Sequence, residues 1–202
     1  AFRLSAMRED SGVPGRDEVT KSGWGIAPSL GFGLGEATRL RLNYYALRQD
    51  NVPDYGIPAY SSSSQFPRQV VPVDPSNYYG LKDIDHERVT VDQANLSLEH
   101  DLQQDITLRA NLGWLRSDTD RVVSFIENVS PTATNPYNRS TKSHVTNDES
   151  FQASTDLSAK LGKGFLKHSI NAGLEYSRQV SRFGRATLGT PPAVADINNP
   201  NP

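Results

Sequence analysis

The feature that most constrains the fold is an alternation of apolar and polar residues with a period of two, which recurs along most of the chain. Between Leu40 and Ala46 every even-numbered position is aliphatic or aromatic, while the odd-numbered positions are Arg41, Asn43 and Tyr45. Successive side chains of a β-strand point to opposite faces, so this pattern is typical of strands with one apolar and one polar face. The sequence therefore predicts an all-β protein.

Seven segments show this alternation, and we predict an antiparallel strand for each. They are approximately 1–8, 23–34, 38–48, 88–101, 105–118, 150–161 and 167–183. Strands of globular proteins are typically about 5–6 residues long, whereas a tilted strand that crosses a bilayer needs about 9–11. Because many of these segments reach the longer value, strand length favours a transmembrane β-barrel.

The predicted connections alternate strictly between short and long. Tight turns are expected near 35–37, 102–104 and 162–165, and long connections at about 9–22, 49–87 and 119–149. Outer-membrane barrels have short periplasmic turns and long extracellular loops, whereas long structureless loops are uncommon in compact soluble domains. We therefore predict an antiparallel up-and-down transmembrane β-barrel segment.

Aromatic residues are placed as this topology requires. Trp24, Trp114, Phe151 and Tyr176 lie on the apolar face, toward the end of the strands from which the long loops leave. Barrels carry aromatic girdles where lipid meets water. On the opposite, polar face four residues are expected to line the lumen: Arg41, Asn43, Arg109 and Asn111.

Seven strands do not close such a barrel. Bacterial single-chain barrels normally have an even number of strands, and open edges in lipid would leave backbone groups without hydrogen bonds. We therefore expect residues 1–202 to be part of a larger barrel, and their structure to be a curved open sheet.

Several functional classes lack support in the composition. Cysteine is absent, which excludes disulfides, thiol catalysis and cysteine zinc sites. The four histidines (His86, His100, His144 and His168) have no metal-ligand spacing, and no Gly-x-Ser-x-Gly elbow is present. The net charge of -2, without a basic block, does not indicate nucleic-acid binding. We expect neither an enzyme nor a bound cofactor or metal.

The most specific residues lie in and after the second long connection. They read Arg48-Gln-Asp-Asn-Val-Pro-Asp-Tyr-Gly-Ile-Pro58, then Asn77-Tyr-Tyr-Gly80, Asp85-His-Glu87 and Leu96-Ser-Leu-Glu-His-Asp-Leu102. This order resembles the TonB-dependent siderophore receptors, most closely their catecholate-type branch, from Phe2 to about Arg185. The resemblance implies a barrel of about 22 strands closed by an N-terminal plug. It also implies a ferric siderophore as cargo, energy from the TonB complex acting through the plug, and contact with outer-membrane lipid.

A ferric catecholate is anionic and aromatic, so arginine and tyrosine suit it as ligand contacts. In the long loop the candidates are Tyr55, Tyr60, Arg68, Tyr78 and Tyr79. A structural alternative is that Pro53-Asp-Tyr-Gly56 forms a turn capped by the Asp54 carboxylate. Contact with the plug is an equal alternative for the two arginines of the polar face.

Two other functions are consistent with the strand pattern. A passive porin shares the alternation, although it does not require the Pro-Asp-Tyr-Gly-Ile-Pro segment. A soluble carbohydrate-binding β-domain could use aromatic loops to bind sugar. An N-terminal plug of about 150 residues, typical of the family that the sequence resembles, would distinguish the receptor from the porin.

Overall fold

A computed structural model describes residues 1–60, 69–127, 129–130, 137–162, 165–186 and 188–202. Within them, seven antiparallel strands form one sheet in the order of the chain, which confirms the predicted all-β, up-and-down topology. The strands are β1 (Phe2–Gly12), β2 (Thr20–Phe32), β3 (Thr38–Asn51), β4 (His86–Gln103), β5 (Ile106–Ile126), β6 (Arg139–Leu161) and β7 (His168–Gly184). The sheet is open, with β1 and β7 at its edges. None of the described residues belongs to a helix long and apolar enough to cross a membrane.

Cross-strand register aligns the apolar side chains into a continuous band. Leu42 of β3 pairs with Leu96 of β4, which pairs in turn with Leu112 of β5. Large apolar side chains of this face remain exposed, from 36 % for Leu30 to 78 % for Leu174. Contiguous exposed apolar surface of this kind marks a face that contacts something other than water. The band matches the predicted lipid-facing surface.

The tight turns near 35–37 and 102–104 are confirmed, whereas the turn predicted at 162–165 lies partly outside the described residues. The outer ends of the strands differ from the prediction. The expected connection 119–149 is wrong, because β5 continues to Ile126 and β6 begins at Arg139. Val122 and Val123 are adjacent in sequence and each is only 6 % exposed, so both faces of β5 are packed here. Where both faces of a strand are packed, alternate residues no longer face different environments, and the period-two pattern from which the strands were predicted therefore disappears.

Much of the buried apolar core lies among the loops rather than on the sheet. Six residues form a cluster that we call the loop core: Val71, Tyr79, Ile126, Val129, Val194 and Ile197. They come from the connection after β3, from the outer end of β5 and its following residues, and from the segment after β7. The loop core therefore joins three segments at the long-loop end of the sheet into one packed unit.

A buried carboxylate and a buried guanidinium fix this unit. Asp85 accepts hydrogen bonds from the Tyr78 hydroxyl at 2.9 Å, the Leu81 amide at 3.1 Å, and the Ser124 amide and hydroxyl at 2.9 and 2.7 Å. Arg139, also buried, donates to three backbone carbonyls, those of Tyr79, Pro192 and Asn201, at 3.0 to 3.3 Å. Buried polar groups are tolerated when they are paired in this way.

Candidate functional site

A tight turn presents the first residue of the candidate site. The Asp54 carboxylate accepts a hydrogen bond from the Gly56 amide at 2.8 Å, and Gly56 has a φ of 81°, in the left-handed region that favours glycine. Arg16, from the loop between β1 and β2, binds both oxygens of Asp54 at 2.7 and 2.8 Å. The turn leaves Tyr55 59 % exposed. The structural interpretation of Asp54 as the residue that caps this turn is confirmed.

The pKa of Asp54 is consistent with its role in this turn. Burial alone raises the pKa of Asp54, but the hydrogen bonds from Arg16 and from the Gly56 amide outweigh it, so the pKa lies below its usual value. The carboxylate is therefore charged at neutral pH, and it holds the turn and the neighbouring loop together.

The exposed Tyr55 ring stacks on Phe125 of β5, with ring centroids 4.5 Å apart and planes inclined by 24°. Phe125 lies on the face of β5 that carries Arg109 and Arg121, because the three positions share the same strand alternation. The Lys142 ammonium of β6 lies 4.7 Å from the centroid of the same Phe125 ring. Cations are attracted to aromatic faces at such distances.

A second aromatic ring with a cationic neighbour lies on the next strand. The His144 ring meets Phe183 edge-on at 4.8 Å, and the Arg185 guanidinium lies 5.5 Å from the centroid of Phe183. Arg185 is held near the sheet because the following Ala186 amide donates to the Ser143 hydroxyl at 2.6 Å.

These groups surround an open cleft of about 560 Å³. We call it the basic cleft, and its charged and aromatic lining consists of Tyr55, Arg121, Lys142, His144 and Arg185. A second cleft of about 490 Å³, the tyrosine cleft, is lined by Tyr55, Tyr60, Tyr79, Phe125 and Glu127 among others. Tyr55 borders both clefts. An anionic, aromatic molecule would find rings and cations side by side here.

Two of the cations already have carboxylate partners. Lys142 Nζ lies 3.3 Å from Oε1 of Glu127, and the Arg121 guanidinium forms an ion pair with Glu87 of β4. Among the described residues, no group of three or more histidine, aspartate or glutamate side chains is arranged to hold a metal ion. The cations and rings of the two clefts are suited to binding negative charge and aromatic surface.

The structure places the five loop residues predicted from sequence in different environments. Tyr55 and Tyr60 line the clefts, and Arg68 lies outside the described residues. Tyr78 and Tyr79 are buried, with hydroxyls that donate to Asp85 and to the Ile197 carbonyl. Ligand contact by the two buried tyrosines stays a prediction. Tyr79 borders the tyrosine cleft, whereas contact by Tyr78 would require the loop core to open.

Burial also changes the chemistry of these tyrosines. Burial, and secondly the neighbouring Asp85 carboxylate, raise the pKa of Tyr78. Burial likewise raises the pKa of Tyr79. Both hydroxyls are therefore neutral hydrogen-bond donors within the loop core, and their visible role is structural.

The four predicted lumen residues share the polar face of the sheet. Arg41 and Asn111 lie in one row, because each pairs with Ser97. Asn43 accepts the Ser29 hydroxyl at 2.6 Å, and Arg109 lies 3.3 Å from Glu99. Their orientation toward a lumen stays a prediction.

Sequence reasoning missed most of the basic cleft. Arg121, Phe125, Lys142 and His144 fall within 119–149, which was predicted to be an irregular connection. One signal was available: Arg121 and Phe125 continue the odd-numbered polar face that begins at Arg109.

Comparison with known proteins gives a consistent result. No family model matches the chain. It is 31 % identical over 210 residues to the catecholate siderophore receptor Fiu of Escherichia coli K12, covering 96 % of the chain and 28 % of that receptor. It is 36 % identical over 172 residues to a probable TonB-dependent siderophore receptor, PiuA of Acinetobacter baumannii, covering 79 % of the chain and 22 % of that protein. The chain thus spans less than a third of the length of these relatives.

Comparison with solved structures points to the same receptors. The closed crystal form of the ferric-catecholate import receptor Fiu from E. coli K12 superposes with a TM-score of 0.83 at 30 % identity, over 99 % of the chain and 30 % of the receptor. The siderophore receptor PiuA from A. baumannii superposes with a TM-score of 0.73 at 32 % identity, over 91 % of the chain and 27 % of that protein. The open seven-stranded sheet therefore corresponds to a section of the barrels of these receptors.

Proposed function

Because this chain belongs to the TonB-dependent siderophore receptors, we propose that the protein containing it imports ferric siderophores of the catecholate type, using energy from the TonB complex. Membership in this family places the sheet in the outer membrane of a Gram-negative bacterium. The apolar band then faces lipid, and the polar face with Arg41, Asn43, Arg109 and Asn111 faces the barrel interior. The named relatives are receptors, which fits transport rather than enzymatic catalysis.

The observation that carries the catecholate proposal is the stacked pair Tyr55–Phe125 beside Lys142. Iron(III) bound by catecholates is surrounded by deprotonated phenolic oxygens, so the complex presents flat aromatic rings and negative charge together. Ring surface and an ammonium group within 5 Å of each other match both properties. Arg185 and Arg121 add positive charge to the same cleft.

The position of the cleft also fits an uptake route. It lies at the outer end of β5 and β6, and the polar face below it continues toward the opposite end of the sheet. Cargo captured here would pass along hydroxyl and amide side chains such as Asn111 and Ser154, which lie 3.4 Å apart. A plug, through which the TonB complex acts, would meet this same wall.

The two alternative functions make different predictions. A soluble carbohydrate-binding domain does not account for the exposed apolar band. A passive porin accounts for the band, but it requires neither a cation–aromatic cleft nor an energy source.

Growth under iron limitation tests the proposal. A strain that lacks the gene for the parent protein is complemented with the full-length gene and supplied with single purified siderophores. We expect ferric catecholates to restore growth and ferric hydroxamates not to do so. No rescue by any siderophore, despite confirmed surface expression, would contradict the proposal.

Variants connect growth to the cleft. Tyr55→Ala and Lys142→Gln should impair rescue by the catecholate, and Tyr55→Phe, which keeps the ring, should retain it. Lys82→Gln is the matched control, because Lys82 is also an exposed lysine in an ion pair, with Glu18 at 3.6 Å, and it lines neither cleft. Equal growth of the Lys142 and Lys82 variants would show that Lys142 and the basic cleft do not contribute to siderophore uptake.

A further inference from the structure

Two cations of the basic cleft have carboxylate partners that lie beside it. Glu127 lies at the end of β5 and pairs with Lys142 across the hairpin, while Glu87 pairs with Arg121 from the neighbouring strand β4. The Glu127–Lys142 pair passes beside the Phe125 ring, with Glu127 lining the tyrosine cleft and Lys142 lining the basic cleft. Two of the cleft's three permanent cations therefore already have carboxylate partners.

This arrangement has an electrostatic consequence for an anionic cargo. A ligand that contacts Lys142 or Arg121 must take the place of a carboxylate, or share the cation with it. The side chains of Lys142 and Glu127 are 62 % and 38 % exposed, and ion pairs this exposed are weak and easily exchanged. A carboxylate that stays close to the bound ligand also repels its negative charge.

Resting on the proposed function, we propose that Glu127 and Glu87 compete with anionic cargo for the cations of the basic cleft and thereby limit the affinity of the cleft for that cargo. They make capture an exchange of counter-ions, so that a ferric complex binds reversibly and can be passed inward. The iron-free form of the same siderophore has protonated phenols, because phenolic hydroxyls have a pKa near 10. That neutral form does not compete for the cations, and the two carboxylates should have little effect on its binding.

The alternative is that the Glu127–Lys142 pair only stabilises the β5–β6 hairpin, as cross-strand ion pairs often do. The affinity-limiting role and the purely structural role predict different changes in the affinity for ferric cargo. If Glu127 only supports the fold, its neutralisation should leave cargo binding unchanged or weaken it. If it limits affinity, neutralisation should strengthen the binding of the anionic form alone.

The experiment measures equilibrium binding to the purified full-length receptor, with the ferric and the iron-free form of one tricatecholate siderophore as probes. Glu127→Gln is expected to tighten ferric binding by about twofold to fivefold through slower dissociation, given the strength of exposed ion pairs. Glu87→Gln should act in the same direction, and iron-free binding should not change. The matched control, Glu18→Gln, removes a similarly exposed ion-paired carboxylate outside both clefts and should behave as wild type.

A double-mutant cycle shows whether Glu127 acts through Lys142. The gain from Glu127→Gln should shrink in a Lys142→Gln background. Unchanged or weaker ferric binding by Glu127→Gln, in a wild-type receptor that does bind the ferric siderophore, would overturn this inference and leave the proposed function intact. A wild-type receptor that binds no ferric catecholate would instead overturn the proposed function, and this inference with it.

Discussion

Replacing Asp85 by alanine should release the three extracellular segments that meet in the loop core. The carboxylate accepts four hydrogen bonds, two of them from Ser124 of β5 and two from Tyr78 and Leu81 in the preceding loop. Each buried donor that loses its acceptor costs about 1–3 kcal/mol. Taking the lower value for all four, the loop core loses on the order of 4 kcal/mol of local stability, or nearly three orders of magnitude in its opening equilibrium.

Amide hydrogen exchange of the full-length receptor in lipid nanodiscs measures this loss. The reporters are Tyr137 and Val194, whose amides and carbonyls bond each other at 2.8 Å and do not touch Asp85. We expect both amides to exchange hundreds of times faster in Asp85→Ala, with no change in the strand amides of the sheet. Asp83→Ala is the control, because Asp83 is an exposed acid two residues away. Protection of the two reporters within tenfold of wild type would refute this reasoning.

Three further predictions follow from the same loops. Arg139→Ala removes three hydrogen bonds to backbone carbonyls, two of them in the segment 188–202. Proteases should therefore cleave this segment faster than in wild type. Cleavage at the wild-type rate would show that Arg139 does not anchor the segment. Gly80→Ala would place a Cβ in steric conflict with the Tyr78 hydroxyl and the Asp85 carboxylate, and we expect a loss of at least about 1 kcal/mol in loop stability, visible as faster Val194 exchange. The pKa of Asp54 is lower in the folded protein than its ordinary value of 3.8. The stability that the Asp54 carboxylate gives to the turn is therefore fully present above pH 3.8, and it is lost as the pH falls through the lower, folded value. Asp54→Asn should abolish that acid-dependent opening of the turn. The opening is measured as amide hydrogen exchange, corrected for the intrinsic exchange rates at each pH. The same pH profile in the variant and in wild type would exclude a role of the Asp54 carboxylate in holding the turn.

The strands within the membrane could be predicted because lipid and barrel interior impose opposite requirements on alternate residues. Segments such as Leu40–Ala46 therefore carry a strong pattern, and the structure confirms the strand. The same reasoning failed at Val122 and Val123, where both faces of β5 pack against protein. The sequence pattern there does not indicate which face of the strand is apolar and which is polar.

The candidate site was less predictable because it depends on register and on loop packing. Tyr55 could be identified as a tyrosine of the long loop, but the same criterion selected Tyr78 and Tyr79, which are buried. Phe125 and Lys142 are distant in sequence, and they meet only because the β5–β6 pairing continues past the membrane to Ile126 and Arg139. Side-chain type alone does not distinguish a ring that faces a cleft from one that fills a core.

Radiolabelled iron uptake by whole cells tests the central claim most directly. Cells that express the full-length receptor are supplied with a ferric catecholate, in strains with and without a functional TonB complex, and the Tyr55→Ala/Lys142→Gln double variant is measured in parallel. We predict uptake that requires TonB and falls at least tenfold in the double variant at equal surface expression. Uptake that persists without TonB, or that is unchanged in the double variant, would contradict the account.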